Sequence, residues 1–203
     1  MSKKYSHIIK NSFQESISVK QSVVDQETYK ILEDFGNLIA SSMAKGGKLL
    51  ICGNGGSAAD AQHLAAEFLV RLSSDINRKG LPALTLLQDS STFTACVNDF
   101  SDKKVFSRNL ETLYRQNDVL LVISTSGNSK NILEVLKLAK KLKVPSLGFL
   151  GNEGGEALVL CDQAFVVPSS NTARIQEAHI TAGHAIIKYI EKKLLDEGFL
   201  QII

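Results

Sequence analysis

The chain has the length and composition of an ordinary globular protein. Its 203 residues suffice for one sizeable core, and its hydrophobic fraction of 44% and charged fraction of 22% fit that class. The formal net charge of +2 neither favours nor opposes nucleic acid as a partner. A lysine-rich stretch at 137–143 has no interleaved aromatic residues, which favours a solvated helix face over a nucleic-acid patch. We therefore expect no nucleic-acid partner.

Cysteine usage and hydropathy indicate a cytoplasmic protein without a membrane span. The three cysteines, Cys52, Cys96 and Cys161, are widely spaced and none belongs to a CxxC pair, so neither a disulfide framework nor a thiolate metal site is predicted. The N-terminal residues carry two lysines without an apolar segment after them. No apolar run approaches the length of a membrane-spanning helix, so we expect no membrane partner.

Both ends of the chain are predicted to be helical. Residues 1–45 show apolar positions at helical spacing without strand character, and this pattern ends at Gly46 and Gly47. A second long helical pattern runs from Thr172 to Ile203. Two long flanking helices exceed what one five-stranded sheet needs for cover. We therefore expect their surplus apolar surface, that of residues 1–45 above all, to form an oligomer interface.

Five short apolar runs between these ends predict strands, and helical patterns lie between most of them. The predicted strands are Lys48–Cys52, Pro82–Leu87, Val119–Ser124, Pro145–Leu150 and Gln163–Val167. The predicted helices are Ser57–Leu72, Thr92–Leu113 with a break near Asn98–Asp99, and Ser129–Leu142. This alternation is typical of an α/β fold with a parallel sheet covered on both faces. Since no linker or repeat divides the chain, residues 1–203 are expected to form a single domain.

A glycine-rich loop, Gly53–Ala58, follows the first predicted strand and opens a helix. It matches the dinucleotide-binding pattern G-x-G-x-x-G/A. That pattern also requires an acidic residue about 20 positions further on, at the end of the second strand. Here the next strand ends near Gln88–Asp89, well beyond that distance. Asn54 and Ser57 offer amide and hydroxyl groups, which suit sugar hydroxyls better than a pyrophosphate.

The segment Ser124–Ser129 carries four hydroxyl residues in six positions, between a strand and a helix. Backbone N–H groups at a helix N-terminus lack intrahelical partners, and the helix dipole favours negative charge there. Hydroxyl groups add donors without charge, which suits a neutral sugar that carries one phosphate. Ser129 alone could be a helix N-cap, but four hydroxyls with Gly127 among them favour phosphate binding. Both loops follow parallel strands, so they are expected to face one crevice.

Histidine, glutamate and glutamine recur at helical spacing in two predicted helices. His63 and Glu67 share a face of the helix after the glycine loop, and Gln176 and His184 fall on roughly one face of the C-terminal helix. If they converge, these side chains supply nitrogen and oxygen ligands for a tetrahedral divalent metal. Spacing leaves two alternatives open, namely a His63–Glu67 surface pair and Glu177 as the partner of His184.

Three motifs together resemble one known family. Residues 53–67 strongly resemble the start of the phosphoheptose isomerases, which are sugar isomerase (SIS) domain proteins. Ser124–Ser129 resembles the SIS phosphate loop, and Arg174–Ile180 followed by His184 resembles the family's C-terminal segment. The resemblance covers essentially the whole chain. It implies a cytoplasmic homotetramer whose subunit is a three-layer α/β/α sandwich, with a flavodoxin-like five-stranded parallel sheet and long N- and C-terminal helices.

The resemblance also implies a reaction and a set of site residues. The reaction interconverts sedoheptulose 7-phosphate and D-glycero-D-manno-heptose 7-phosphate, the first step toward nucleotide-activated heptose for lipopolysaccharide or capsule. The positions that match the family's proton-transfer residues are Glu67 and His184. One zinc ion per subunit is implied at His63, Glu67, Gln176 and His184. The implied substrate contacts are Asn54, Gly55, Gly56, Ser57, Glu67, Asn98, Asp99, Ser124, Thr125, Ser126, Ser129 and Gln176.

The residue types agree with this chemistry. Moving a proton between C1 and C2 through a cis-enediol needs one base at carbon and one acid–base group at the oxygens. A carboxylate such as Glu67 and a histidine such as His184 fit these two roles. Ala173 stands where some family members have an acidic residue, so no substrate contact is expected from that position.

Three other functions compete with this interpretation. A non-catalytic SIS branch binds the replication-initiator protein, but it has replaced the catalytic glutamate and the last histidine, whereas this chain retains Glu67 and His184. A regulator that senses a sugar phosphate would need a DNA-binding segment. This function is disfavoured because residues 1–45 lack the turn residues of a helix-turn-helix motif and a row of basic residues. Another aldose–ketose isomerase of the same fold stays open, since the shape of the loops sets the length of the sugar.

Overall fold

The centre of the molecule is a sheet of five parallel strands, seen in a computed structural model that describes residues 5–87 and 89–202. The strands are β1 Leu49–Gly53, β2 Ala83–Thr85, β3 Val119–Ser124, β4 Ser146–Gly151 and β5 Gln163–Val167. Their order is β2-β1-β3-β4-β5, and every neighbouring pair is parallel. This is the flavodoxin-like order, in which the strand order reverses between β1 and β3. The predicted sheet is confirmed.

Helices cover both faces of this sheet. Those of the described chain are α1 Ser6–Asp25, α2 Ile31–Ala44, α3 Gly56–Leu69, α4 Ser90–Asp99, α5 Val105–Leu113, α6 Lys130–Leu142 and α7 Thr172–Asp196. One core lies between the sheet and α2, α3 and α7, and a second lies between the opposite face and α4, α5 and α6. The predicted three-layer α/β/α sandwich is therefore confirmed.

The central strands are buried on both sides because their residues alternate between these two cores. In β1, Leu49 and Ile51 point toward α3 and α7, whereas Leu50 and Cys52 point toward α5 and α6. All residues of β1, β3 and β4 are buried. A strand with two buried faces must be apolar at every position, which is why the sequence shows continuous apolar runs instead of alternation.

Several boundaries differ from the sequence prediction. The predicted helix 92–113 is two helices, α4 and α5, separated by a 3₁₀ turn, so the predicted break is confirmed. α4 starts early because Asp89 caps it, with its carboxylate accepting the N–H of Thr92 at 2.7 Å. That bond is the main cause of the lowered pKa of Asp89. β2 is shorter than predicted, α3 and α7 end earlier, and Gln88 lies outside the described residues.

The helix α1 lies against α7 and has no fully buried residue, although Val19 and Val23 pack against the edge of the first core. Arg174 of α7 donates a hydrogen bond to the backbone carbonyl of Ser12, which ties the two helices together. Ile9, Phe13 and Ile17, at four-residue spacing, have 66%, 70% and 66% of their surface exposed in the single chain. They form an apolar row on the outer side of α1. No helix in the described part of the chain is both long and apolar enough to cross a membrane.

Candidate active site

The glycine loop carries the chain from the carboxyl end of β1 into α3. Gly55 precedes α3 with a φ of +56°, a conformation that favours glycine. A Cβ atom at Gly56 would collide with the side-chain amide of Gln176, so the missing side chain lets α7 approach the start of α3. Ser57 is buried at this junction. The structure therefore brings together Gly56 and Gln176, two of the predicted substrate-binding residues.

A pair of asparagine amides fastens the glycine loop to α6. The Nδ2 of Asn54 donates to the Oδ1 of Asn131, and the Nδ2 of Asn131 donates to the Oδ1 of Asn54, each at 2.9 Å. The Oδ1 of Asn131 also accepts the N–H of Ile132 at 3.0 Å. Sequence reasoning missed Asn131. Its place in the first turn of a predicted helix was visible, but its partner lies 77 residues away in the chain.

The hydroxyl loop, Ser124–Ser129, is held mainly through its backbone. Gly127 has a φ of +64°, and a Cβ atom there would overlap the carbonyl oxygen of Gly154. The carbonyl of Gly127 accepts the N–H of Ala157 at 2.9 Å, and the carbonyl of Thr125 accepts the amide of Asn152 at 3.0 Å. The turn at 152–157 therefore fixes the shape of the loop.

Two of its serine hydroxyls accept backbone hydrogen bonds and keep their protons for another acceptor. The Oγ of Ser124 accepts the N–H of Gly127 at 3.1 Å, and the Oγ of Ser126 accepts the N–H of Asn128 at 3.2 Å. Ser129 occupies the N-cap position of α6, and within the described chain its side chain makes no capping bond. The N–H groups of Lys130 and Asn131, the first two residues of α6, are thus the helix donors for an anion, since that of Ile132 binds Asn131.

Two cavities flank these loops at the carboxyl edge of the sheet. One, of 290 Å³, lies beyond β1 and β2 and is lined by Gly53, Gln62 and Phe93. The other, of 610 Å³, opens between the hydroxyl loop and the turn at 152–157 and is lined by Ser126 and Asn128. The two cavities lie on either side of the β1/β3 reversal, at the edge of the sheet where ligands of such folds bind.

His63 and Glu67 of α3 and His184 of α7 converge along the line where the two helices touch. The two Nε2 atoms of His63 and His184 are 2.9 Å apart, and the Oε1 of Glu67 is 3.5 Å from the Nε2 of His63. Such a bond requires one ring nitrogen to carry a proton and the other to be bare. Partial burial and the neighbouring His63 lower the pKa of His184, and Glu67 opposes them. The neutral form of His184 is therefore favoured.

We call the contacts of Gly56, His63 and Glu67 with Gln176 and His184 the α3–α7 seam. Gly183 lets the helices approach closely, because a Cβ atom there would collide with Leu64. Gln176 precedes His184 by eight residues, which corresponds to about 12 Å along the helix axis. Its amide contacts Gly56, so Gln176 lies at the glycine-loop end of the seam and the histidine pair lies further along.

The donor atoms of the seam suit a zinc ion in their chemistry. The Nε2 of His63 has the Nε2 of His184 and the Oε1 of Glu67 within 3.5 Å. Imidazole nitrogens and carboxylate oxygens are among the ligands that zinc takes in proteins. Residues 5–87 and 89–202 nevertheless contain no group of three His, Cys, Asp or Glu side chains arranged to hold a metal ion. In this conformation the Nε2 atoms of His63 and His184 lie within hydrogen-bond distance of each other.

The remaining predicted residues lie elsewhere. Asn98 donates to the carboxylate of Asp99 at 2.8 Å at the end of α4, which packs in the layer of α5 on the other side of the sheet. Glu177 pairs with Arg174 at 2.6 Å, whereas His184 meets His63, which decides the alternative that spacing left open.

Comparison with known proteins agrees with this architecture. A family model described as "SIS domain" matches residues 12–151. A phosphoheptose isomerase from Clostridium acetobutylicum is 41% identical over 192 residues, which are 94% of this chain and 97% of that protein. Another, from Paramagnetospirillum magneticum, is 49% identical over 164 residues, covering 79% and 84% of the two chains. The chain belongs to the phosphoheptose isomerases of the SIS domain family.

A solved structure extends this family relationship to three dimensions. The phosphoheptose isomerase of Neisseria gonorrhoeae superposes with a TM-score of 0.85 at 36% identity, covering 93% of this chain and 100% of that one. The resemblance inferred from the three motifs is confirmed, and the protein is an isomerase. None of these relatives favours the non-catalytic branch that binds a replication initiator.

Proposed function

We propose that this phosphoheptose isomerase interconverts sedoheptulose 7-phosphate and D-glycero-D-manno-heptose 7-phosphate, the first step toward nucleotide-activated heptose. The observation that carries the proposal is the convergence of Glu67 with His63 and His184 in a chain whose hydroxyl loop ends at a helix N-terminus. A carboxylate and two imidazoles supply acid–base groups, and the loop supplies an anion site.

The hydroxyl loop binds the phosphate in this proposal. Ser124 and Ser126 would donate their hydroxyl protons to it, and Ser129 stands at the N-cap of α6, where the helix dipole favours an anion without a basic side chain. Thr125 lies between Ser124 and Ser126 and is proposed as a further contact of the phosphate. Asn54, Gly55, Gly56 and Ser57 contact the sugar from the neighbouring glycine loop, which the Asn54–Asn131 pair holds in place.

Glu67 is assigned the proton transfer at carbon. Its carboxylate takes a proton from C1 of the ketose while the C2 oxygen gains one, which gives the cis-enediol. The same carboxyl returns the proton to C2 while the C1 oxygen loses its proton to form the aldehyde. His184 is assigned the transfer between the two oxygens, for which its neutral form offers one donor and one acceptor nitrogen.

Zinc is the metal we propose for the seam. His63, Glu67, Gln176 and His184 would hold it, and the ion would supply Lewis-acid polarisation of the substrate oxygens. The amide of Gln176 would have to leave Gly56 to join the other three ligands. A zinc-bound glutamate is a weaker base. If Glu67 is both a ligand and the base, its carboxylate would have to leave the ion before it takes the proton.

We further propose a homotetramer in which chains share sites. The exposed apolar row of α1 offers an interface, and Asn98 and Asp99 lie in another layer than the seam within one chain. In the tetramer, Asn98 and Asp99 of a neighbouring chain would lie at the α3–α7 seam. Mixed tetramers of inactive Glu67→Gln and Asp99→Ala chains should then regain activity, and light scattering should give four chains. A monomer, or mixtures without any regained activity, would refute the shared site. A cytoplasmic location also remains a prediction.

The experiment that tests the reaction is NMR of the purified protein incubated with sedoheptulose 7-phosphate. Samples with added zinc and with a chelator are compared. Appearance of the aldoheptose phosphate is expected, and loss of turnover with chelator would support the metal. No turnover in either sample, with the protein folded, would reject the proposed reaction. Fructose 6-phosphate as an alternative substrate distinguishes this reaction from that of another isomerase with the same fold.

A further inference from the structure

A buried arginine lies at the far end of the α3–α7 seam. Arg78, in the loop between α3 and β2, has a side chain with 0% exposure, and its partner Glu191 of α7 has 3%. The Nε of Arg78 is 2.5 Å from the Oε1 of Glu191. Glu191 follows His184 by seven residues, which places both on one face of α7.

The rest of the guanidinium binds the end of the helix that carries Glu67. One of its nitrogens donates to the backbone carbonyl of Glu67 at 2.9 Å, and another donates to the carbonyl of Phe68 at 2.9 Å. That second nitrogen also reaches the carbonyl of Lys79 at 3.1 Å. Carbonyls in the last turn of a helix lack intrahelical partners, and a cation is favoured there. Arg78 therefore completes α3 and joins it to α7.

We propose that Arg78, with Glu191, is a positioning residue that holds Glu67 in register with His184. The proposal rests on the proposed function, in which these two side chains share the proton transfers. Arg78 donates a hydrogen bond to the backbone carbonyl of Glu67. Its other partner, the carboxylate of Glu191, lies two turns of α7 beyond His184. Apolar replacements of a buried ion pair are often neutral or stabilising, so the role assigned to this pair is the geometry of two helices that carry one site.

A second buried ion pair provides a matched control. Asp118, 1% exposed, binds the Nζ of Lys48 at 2.5 Å and accepts the N–H of Arg115 at 2.9 Å. It lies at the amino ends of β1 and β3, away from the seam and the two loops. Asp118→Asn should weaken folding without moving Glu67.

The first test compares Arg78→Lys and Glu191→Gln with Asp118→Asn. Lysine keeps the charge but lacks the planar guanidinium whose separate nitrogens bind Glu191 and the carbonyls of Glu67 and Phe68 together. At a temperature where circular dichroism shows every variant folded, kcat of Arg78→Lys for sedoheptulose 7-phosphate should fall about tenfold to a hundredfold, with KM within about twofold. Glu191→Gln should lose less, and Asp118→Asn should keep kcat within about twofold. A kcat for Arg78→Lys close to that of the unchanged protein, or an equal loss in Asp118→Asn, would overturn the proposal.

The second measurement separates this proposal from the reaction itself. Hydrogen exchange is followed at the amides of α3 in the same samples without substrate. The last turns of α3 should exchange at least about tenfold faster in Arg78→Lys and at the original rate in Asp118→Asn. Absence of turnover in the unchanged protein would reject the reaction and, with it, the proposed catalytic alignment of Glu67 with His184. If the α3 amides of Arg78→Lys exchange at the original rate, Arg78 does not hold the end of α3, whatever the activity.

Discussion

The hydroxyl loop and the α3–α7 seam are built in different ways. The loop is fixed by backbone contacts, with Gly127 against Gly154 and the carbonyl of Thr125 bonded to Asn152. The seam is fixed by side chains, with His63 bonded to His184 and Arg78 bonded to Glu191. A phosphate group keeps one tetrahedral shape throughout the reaction, so a fixed backbone suits it. A proton transfer needs groups that change protonation and partner, so side chains suit it.

The difference predicts how each region fails. A substitution in the loop should change its shape, and with it substrate binding and stability. A substitution at a reacting side chain of the seam should change the rate of the folded enzyme and leave the fold nearly intact. Four substitutions test this division, in order of decreasing predicted loss.

Replacing the proposed carbon base should have the largest effect. Glu67→Gln keeps the size of the side chain and removes its basicity, so kcat should fall by about a hundredfold to ten-thousandfold with an unchanged melting temperature. Turnover of sedoheptulose 7-phosphate followed by NMR measures this. The control is Glu134→Gln, which replaces a half-buried carboxylate of α6 paired with Lys104, and it should retain full activity. Retained activity in Glu67→Gln would reassign the base.

Adding one methyl group to the hydroxyl loop should damage it through the backbone. Gly127→Ala combines a positive φ with overlap on the carbonyl of Gly154, so the loss of unfolding free energy should reach at least about 3 kcal/mol, and KM should rise. Gly46→Ala is the control, because Gly46 has a φ of +81° with open space around it. It should lose only about 1 kcal/mol in chemical denaturation. Equal losses would show that φ alone matters.

His179 links the two regions through the core. Its Nε2 lies 2.9 Å from the carbonyl oxygen of Leu150, just before the turn that braces the loop, and its ring stacks on Phe149. Burial lowers the pKa of His179 from 6.5 to about 4. Protons therefore bind the unfolded chain first, and the stability contributed by the neutral ring, present above pH 6.5, is lost as pH falls toward 4.

This loss should amount to about 3 kcal/mol between pH 7 and pH 4. Urea denaturation at a series of pH values measures it. His179→Gln keeps a donor for Leu150 without a titrating group, so its unfolding free energy should fall less over the same range. His7→Gln, exposed on α1, is the control and should follow the unchanged protein. An identical pH dependence in His179→Gln would contradict the assignment.

The smallest effect is expected where side chains assist the loops. Asn131→Ala removes the pair with Asn54, so KM should rise by a few-fold, equivalent to about 1 kcal/mol, with kcat little changed. A double-mutant cycle with Asn54→Ala should show that the two losses do not add. Additive losses would mean that the amides act independently.

The sequence predicted the sheet and both loops well because their signals are local. Continuous apolar runs identify strands that are buried on two faces, and glycine and hydroxyl residues mark the turns that follow β1 and β3. The family motifs around His63 and Gln176 then predicted the isomerase, which the comparisons confirm. Two predicted boundaries were wrong for different reasons. Asp89 starts α4 early through a local cap three residues long, and α3 ends where Arg78, further along the chain, binds its carbonyls.

The candidate site divides in the same way. Spacing placed His63 beside Glu67, because four residues make one turn, but it could not choose between Glu177 and Gln176 as the companion of His184. The structure pairs Glu177 with Arg174 and sets Gln176 against Gly56. The roles of these residues, the zinc ion and the assignment of residues 1–203 to one domain remain predictions.

Periodicity and short motifs depend on neighbours along the chain, so they were enough to predict the α/β architecture, the two loops and the family. Which distant side chains meet became known only from the folded chain: His63 with His184, Asn54 with Asn131, and Arg78 with Glu191. The physical reason is that such contacts depend on how α3, α6 and α7 pack across the sheet. That packing is set by the whole core, including the small residues that let helices approach, and no local pattern encodes it.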